Sequence, residues 1–322
     1  MGWTMRKTVA VFVLSWMFCA PAQAAERIRL AVTNYNLTYL TGGVALKKGF
    51  FKAEGLDAEI IRMTPNVSVV ALTNGDVDYS MLFGLVVRSA IRGLPVRVVA
   101  NFMDSSPLTL IARPQFKSVK DLKGKTLGVS TFGATPDIAA RMVFKHFGLD
   151  PEKDVKVIAL RTDDARMAAL KEGIVDVIVI APPADSEMRK AGFNVIARVD
   201  EVFKFPYVGL GANVRKIKER PDEVKRTLKA MIRANRYIRE NRDGAIQVLI
   251  EWGGTKPEYA AATYDSSWKV FNPDGSIAED GLRLVVEQAR SEAKITRDIS
   301  LSEVSDVSNL HEAQSEMGIR AQ

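Results

Sequence analysis

An eight-residue pattern, A-L-x-x-G-x-V-D, occurs twice in the chain and constrains its fold more than any other feature. It covers residues 71–78 and again residues 169–176, which are 98 positions apart. In each copy a helix ends at a glycine suited to a left-handed cap, an aspartate follows in a turn, and an apolar strand comes next. This spacing is too long for a solenoid repeat and instead predicts two similar lobes.

Predicted strands and helices alternate along the rest of the chain. Residues 28–32 and 56–61 have the apolar pattern of short strands, and residues 38–48 between them are typical of a helix. A long helix is predicted from residue 221, and Asn235 is the one polar residue on its apolar face. The alternation predicts an α/β fold with two mainly parallel sheets flanked by helices.

Two extended segments, 108–112 and 206–211, are interpreted as the crossovers between the lobes. Lobe 1 is then predicted to comprise residues 26–112 plus 212–322, and lobe 2 residues 113–205. Residues 206–211 form the second hinge crossover in this interpretation. The chain is long enough for each lobe to bury its own core.

The first 24 residues have the pattern of a secretory signal peptide. Arg6 and Lys7 precede an apolar run, and Ala22 and Ala24 supply the small residues that a signal peptidase requires. A membrane anchor needs about 20 apolar residues, and Pro21 interrupts this run too early. Cleavage is therefore predicted after Ala24.

Cleavage would remove the single cysteine, Cys19, and with it any disulfide, thiolate nucleophile or sulfur metal ligand. A lipoprotein that uses Cys19 is disfavoured, because the preceding Trp16, Met17 and Phe18 are bulky. The formal charge of +7 falls to +5 without Arg6 and Lys7. Basic residues are interleaved with acidic ones almost throughout the chain, so nucleic-acid binding is not expected.

Motifs of catalysis are missing from the sequence. It contains no H-E-x-x-H zinc motif, no G-x-S-x-G nucleophile motif and no complete phosphate-binding loop. The paired carboxylates Asp163 and Asp164 precede a helical run, and one of them is expected to cap that helix. We therefore expect neither catalytic residues nor a cofactor or metal, and predict that the protein is not an enzyme.

One loop-to-helix junction could bind an anion. A predicted strand ends at Val129, Thr135 can cap the following helix, and Pro136 suits its first position. The backbone N–H groups of such a terminus favour negative charge. A well-capped helix without a ligand is the simpler alternative from local sequence. A similar loop-to-helix junction follows the first predicted strand, at residues 34–38.

Further segments form an ordered set with the two repeats. They are Lys48-Gly49-Phe50-Phe51, Gly55-Leu56, the run from Asp121 to Val129, and Gly148-Leu149-Asp150-Pro151. The set resembles the substrate-binding proteins of ABC importers for nitrate, sulfonates and taurine, a family that includes binding proteins for the pyrimidine precursor of thiamine. The likeness covers nearly the whole mature chain.

The resemblance implies a two-lobed periplasmic binding protein fold of type II, with two hinge crossovers and a cleft that closes around a ligand. It further implies a periplasmic monomer whose partners are a small-molecule ligand and an ABC permease in the inner membrane. Loops from both lobes would line the cleft. The expected ligand-binding residues are Tyr35, Asn36, Thr38, Pro65, Asn66, Ser68, Phe83, Gly84, Ser130, Phe132, Gly133, Ala134, Thr135, Ala181, Pro182 and Asp185.

The chain departs from the family at Ala181 and Pro182, where many members have an aromatic and then an acidic residue. The missing carboxylate disfavours a ligand with an ammonium group, although Asp185 lies close by. With Tyr35, Phe83 and Phe132 nearby, this apolar surface favours an aromatic or alkyl sulfonate or carboxylate.

Two other functions stay open at this point, and a third is disfavoured. The protein could bind a pyrimidine-type thiamine precursor, or it could present a ligand to a membrane receptor as a sensory module. An enzyme like the pyrimidine-synthesis protein of the same fold is disfavoured, because that chemistry uses a histidine and a cysteine cluster and the mature chain has no cysteine.

Overall fold

The structure is a computed structural model that describes residues 25–130, 132 and 135–320, so the predicted signal peptide lies outside it. The strands are β1 (Glu26–Val32), β2 (Leu56–Arg62), β3 (Tyr79–Ser80), β4 (Val96–Met103), β5 (Thr109–Ala112), β6 (Lys125–Val129), β7 (Val155–Ala159), β8 (Val177–Ile180), β9 (Asn194–Arg198) and β10 (Val208–Asn213). The helices are α1 (Leu40–Lys47), α2 (Phe50–Ala53), α3 (Pro65–Asn74), α4 (Phe83–Ile91), α5 (Thr135–His146), α6 (Asp163–Lys171), α7 (Ala184–Lys190), α8 (Val199–Val202), α9 (Val214–Glu219), α10 (Pro221–Glu240), α11 (Arg242–Glu251), α12 (Pro257–Asp265), α13 (Glu279–Glu292) and α14 (Ser308–Glu316). Within this described part, no helix is both long and apolar enough to cross a membrane.

The strands form two five-stranded sheets of the same topology in the described residues. The first sheet has the order β2-β1-β3-β10-β4 and the second the order β7-β6-β8-β5-β9. In each sheet one strand, β10 or β5, runs antiparallel to both of its neighbours, and the other pairs are parallel. The predicted α/β class is confirmed, and the antiparallel strand in each sheet is an addition to the prediction.

The chain crosses between the sheets at residues 104–108, the first crossover, and at residues 203–207, the second crossover. Two predicted assignments are wrong here. The segment ending at residue 112 is predicted in lobe 1, but β5 pairs with β8 and β9 of the second sheet. Most of the predicted crossover 206–211 is β10, which pairs with β3 and β4 of the first sheet. The sheet that a strand joins depends on long-range pairing, which local sequence does not encode.

The repeated pattern occupies equivalent positions in the two sheets. Gly75 has a φ of +84° and Gly173 a φ of +75°, so both have the left-handed conformation expected where a helix ends. Asp78 accepts a hydrogen bond from a backbone N–H of β1 at 2.7 Å, and Asp176 accepts one from β6 at 3.0 Å. In each lobe a carboxylate thus joins the turn before one strand to the neighbouring strand. The repeat is therefore structural.

Helices cover both faces of each sheet. On the first sheet, α1, α10, α11 and α14 pack on one face and α3, α4 and α13 on the other, because alternate residues of β1 such as Leu30 and Ala31 point to opposite sides. The second sheet lies between α5 with α8 and α6 with α7. We call the first sheet and its helices lobe 1, and the second lobe 2.

The polar residue predicted on the apolar face of α10 is buried and fully used. The Nδ2 of Asn235 donates to the backbone oxygens of Phe102 at 2.8 Å and Asn272 at 2.6 Å. Its Oδ1 accepts from the Thr41 hydroxyl at 2.6 Å. This amide joins α10 to α1, β4 and the segment after α12, which stabilises the core of lobe 1.

Candidate functional site

The predicted site residues follow the carboxyl ends of strands in both sheets. In open α/β sheets this is the edge where ligands bind. Tyr35, Asn36 and Thr38 follow β1; Pro65, Asn66 and Ser68 follow β2; Phe83 and Gly84 follow β3; Ser130, Phe132 and Thr135 follow β6; Ala181, Pro182 and Asp185 follow β8. Gly133 and Ala134 lie outside the described residues.

The two carboxyl edges face each other beside the second crossover. A narrow cavity of about 50 Å³ is lined by Gly84 of α4, by Thr135 and Ile138 of α5, and by Pro206 and Tyr207 of the crossover. The fold therefore brings together two predicted residues, Gly84 and Thr135, that come from different lobes. We call the space between these edges the interlobe cleft.

The loop after β1 presents one aromatic ring. Tyr35 is 39% exposed, and its ring centroid lies 5.1 Å from that of Trp252. Its hydroxyl donates to the backbone oxygen of Ile60 at 3.1 Å. Asn36 uses its Oδ1 to accept from the backbone N–H of Thr38 at 3.1 Å, and Thr38 is nearly buried. Asn34 and Tyr35 are therefore the exposed residues of this loop.

Two predicted binding residues of lobe 1 are inaccessible. Ser68 is fully buried, and its hydroxyl lies 2.9 Å from that of Ser80, so it joins α3 to β3. Phe83 is fully buried in the core beneath α4. Both side chains point into the lobe, and their contact with a ligand stays a prediction. Asn66, in the first turn of α3, is exposed.

The junction before α5 places accessible groups at a helix N-terminus. Phe132 is 59% exposed, whereas Ser130 and Thr135 are half-buried. Thr135 is the first residue of the twelve-residue helix α5, whose leading N–H groups favour an anion. The acidic residue in this first turn, Asp137, is buried and accepts from Arg141 at 2.7 Å, so its charge is compensated within the helix.

The segment after β8 contributes apolar residues and no exposed charged group at its predicted site positions. Ala181 is half-buried and Pro182 buried, and the bond between Pro182 and Pro183 is cis. Asp185 is fully buried, with Oδ1 accepting from its neighbour's backbone N–H at 2.7 Å. Burial raises the pKa of Asp185, and Arg198 opposes that change. The sequence predicts that Asp185 contacts the ligand, but its side chain faces the interior of lobe 2.

Two tyrosines near the second crossover were not predicted. The Thr33 hydroxyl donates to the Tyr39 hydroxyl at 2.8 Å, and burial raises the pKa of Tyr39 far above its usual range. Burial also raises the pKa of Tyr207, opposed by its hydrogen bond with Ser106. Tyr207 is close enough to influence the pKa of Tyr39. The two tyrosines are far apart in the sequence, so no local pattern signals that they lie near each other.

The cap of α6 also differs from the prediction. The sequence favours Asp163 or Asp164 as the cap, but the Thr162 hydroxyl accepts from the backbone N–H of Ala165 at 3.2 Å. Because a hydroxyl caps the helix, the carboxylate of Asp163 is available for other contacts.

Asp163, the first residue of α6, follows β7 and so places a carboxylate at the carboxyl edge of lobe 2. Its side chain is 48% exposed and forms an ion pair with the buried Arg166, whose Nε donates to the backbone oxygen of Val179 at 3.1 Å. Burial raises the pKa of Asp163, and Arg166 opposes that change. Its negative charge also contributes to the raised pKa of Tyr207.

The described part of the cleft therefore offers hydroxyl groups, aromatic rings, a helix N-terminus and one carboxylate–guanidinium pair. These groups suit hydrogen bonding, stacking and charge recognition. Such an arrangement can hold a small molecule.

The fold is that of the periplasmic binding proteins. The periplasmic aliphatic sulphonate binding protein SsuA of Escherichia coli has the same fold with a TM-score of 0.73, at 16% identity, over 86% of this chain and 96% of that chain. The sheets, the crossovers and the facing edges thus belong to a known class of two-lobed proteins.

The chain belongs to the NMT1/THI5-like family, whose family model matches residues 38–245. YtlA of Bacillus subtilis, named for binding, is 23% identical over 280 residues, which cover 81% of this chain and 82% of YtlA. The 4-amino-5-hydroxymethyl-2-methylpyrimidine phosphate synthase THI11 of Saccharomyces cerevisiae is 27% identical over 214 residues, 61% of this chain and 62% of THI11. The relatives therefore include a protein named for binding and a protein named as an enzyme.

Proposed function

We propose that the chain is an exported solute-binding protein that carries a small organic anion to an ABC permease in the inner membrane. The ligand is a sulfonate or carboxylate with an aromatic or alkyl body. The observation that carries the proposal is the pair of similar sheets whose carboxyl edges face each other beside two short crossovers. Such a cleft encloses a ligand when the lobes close.

The two ends of the ligand would meet different surfaces. The anionic group would lie at the N-terminus of α5, near Ser130 and Thr135, where the leading N–H groups of the helix favour negative charge. The apolar body would lie against the exposed rings of Tyr35 and Phe132. The likeness in fold to a sulphonate-binding protein supports this ligand class.

The crossovers suit a hinge. The backbone N–H of Phe205 donates to the oxygen of Asp104 at 2.9 Å, and the Ser105 hydroxyl donates to the oxygen of Phe203 at 2.6 Å. Because the two crossovers are bonded to each other, they would bend together while each lobe stays rigid. Export by a cleaved leader, a periplasmic location and a monomeric state belong to the same proposal.

Calorimetric titration tests the ligand class. Benzenesulfonate, benzoate, methanesulfonate and taurine are titrated into the mature protein, and we expect benzenesulfonate to bind most tightly. Phe132→Ala should weaken benzenesulfonate about tenfold and methanesulfonate much less. Ile174→Ala, which truncates a side chain that is 64% exposed in the repeat of lobe 2, is the matched control. Absence of binding by every anion would refute the proposal.

A pyrimidine-type thiamine precursor is the second candidate, and Asp163 is the observation that favours it. A half-exposed carboxylate can accept an N–H from the exocyclic amino group of an aminopyrimidine. The sequence similarity to a pyrimidine phosphate synthase also supports this candidate. Asp163→Asn should weaken a 4-aminopyrimidine at least tenfold and leave or improve sulfonate binding. The opposite pattern would exclude the pyrimidine.

A further inference from the structure

A second cavity adjoins both crossovers. Residues 266–278, which we call the strap, connect α12 to α13 and run beside the first crossover, where the backbone N–H of Asp104 donates to the oxygen of Val270 at 2.8 Å. The cavity between the strap and the crossovers has a volume of about 1280 Å³. Two residues, Phe205 and Pro206, line both this cavity and the cleft cavity.

Acidic side chains outnumber basic ones on the wall of this cavity. The carboxylates are Asp104, Asp200, Glu201, Asp265, Asp274, Glu279 and Asp280, and the cations are Arg198, Lys204 and Lys269. Asp265 and Glu279 also pair with Arg242 and Arg283, which lie outside the wall. An excess of negative charge remains after these pairs are counted, so the cavity favours a cation.

Asp104 has one carboxylate oxygen in use. Its Oδ1 accepts from Asn101 Nδ2 at 2.8 Å and from Asn272 Nδ2 at 2.7 Å, and no donor among the described residues bonds its Oδ2. Burial raises the pKa of Asp104, and the nearby Asp274 adds to that change. A cationic donor at Oδ2 would stabilise the charged carboxylate.

Asn101 supplies an independent observation. It lines the cavity, is only 1% exposed, and leaves its Oδ1 buried without a donor in the described part of the chain. A buried amide oxygen without a partner costs free energy that a ligand N–H would recover. Asn101 is bonded to Asp104, so the two free oxygens belong to one cluster.

We propose that this cavity is a second binding site, which takes a small organic cation with N–H donors, a primary ammonium compound, at the free oxygens of Asp104 and Asn101. The described residues contain no group of three or more histidine, cysteine or carboxylate side chains suited to a metal ion, which favours an organic cation over a metal. The site is separate from the ligand proposed for the interlobe cleft, and its test does not depend on that ligand.

Calorimetry with 1,4-diaminobutane tests the site, and tetramethylammonium serves as a cation without N–H groups. We expect saturable binding of the diamine and at least tenfold weaker binding after Asp104→Asn, which keeps an acceptor for both asparagines. Asp57→Asn, an equal charge change at an exposed position of β2, should alter affinity less than about twofold.

Three outcomes would overturn the proposal: no saturable binding of the diamine, equal binding by tetramethylammonium, or equal losses in the Asp104 and Asp57 variants. Circular dichroism checks that each variant is folded. The comparison of 1,4-diaminobutane with tetramethylammonium uses the unmodified protein. It therefore tests the need for N–H donors even where a variant does not fold.

Discussion

Removal of the Asp176 carboxylate should destabilise lobe 2 without changing the cleft. Asp176 accepts from the backbone N–H of Thr126 at 3.0 Å, and hydrogen bonds to charged groups contribute about 1.5–3 kcal/mol. Its ion pair with Arg113, at 3.9 Å and partly exposed, adds less than about 0.5 kcal/mol. Asp176→Ala should therefore lower the free energy of unfolding by about 2 kcal/mol.

Urea unfolding followed by far-UV circular dichroism measures this loss, with benzenesulfonate affinity as the second readout. Glu172→Ala removes an exposed carboxylate from the same repeat and should change stability by less than about 0.5 kcal/mol. The reasoning is refuted if Asp176→Ala leaves stability unchanged, or if it abolishes binding in a fully folded protein, because the repeat would then serve the ligand.

Three further predictions concern buried groups. Asn235→Ala removes three hydrogen bonds and should lower the free energy of unfolding by about 3 kcal/mol; a loss below about 1 kcal/mol in a urea titration would contradict this. Because burial raises the pKa of Asp185, its charged form opposes folding as the pH rises, so Asp185→Asn should raise the melting temperature at neutral pH and help less as the pH falls; a gain that grows in acid would be inconsistent. A Cβ at Gly43 would overlap the Trp252 ring, so Gly43→Ala should cost about 1–3 kcal/mol and change tryptophan fluorescence; an unchanged spectrum would count against it.

Local patterns predicted the elements of the fold well. Gly75 and Gly173 end helices as expected, because a left-handed backbone strongly favours glycine. The sheets joined by β5 and β10 were assigned wrongly, because both strands lie next to crossovers and their partners are distant in the sequence.

The site was predicted less completely than the fold. The order of strands in the sequence predicts which sheet edges carry the site. It does not predict the direction in which each side chain points. Ser68 and Phe83 point into lobe 1, and Asp185 into lobe 2, because packing within a lobe decides which residues are buried. Tyr207 lines the cleft cavity from a crossover that is distant in the sequence from Gly84 and Thr135, which a local sequence pattern cannot show.

The distance between the outer strands of the two lobes tests the central claim most directly. Cys19 is the single cysteine of the sequence and lies in the predicted leader, so Asp57→Cys on β2 and Lys156→Cys on β7 would give the mature protein two unique labelling sites. Electron–electron double resonance between spin labels at these sites reports the opening of the cleft. The account predicts that benzenesulfonate shortens this distance as it saturates the protein. Saturable binding with an unchanged distance would contradict closure of the lobes around the ligand.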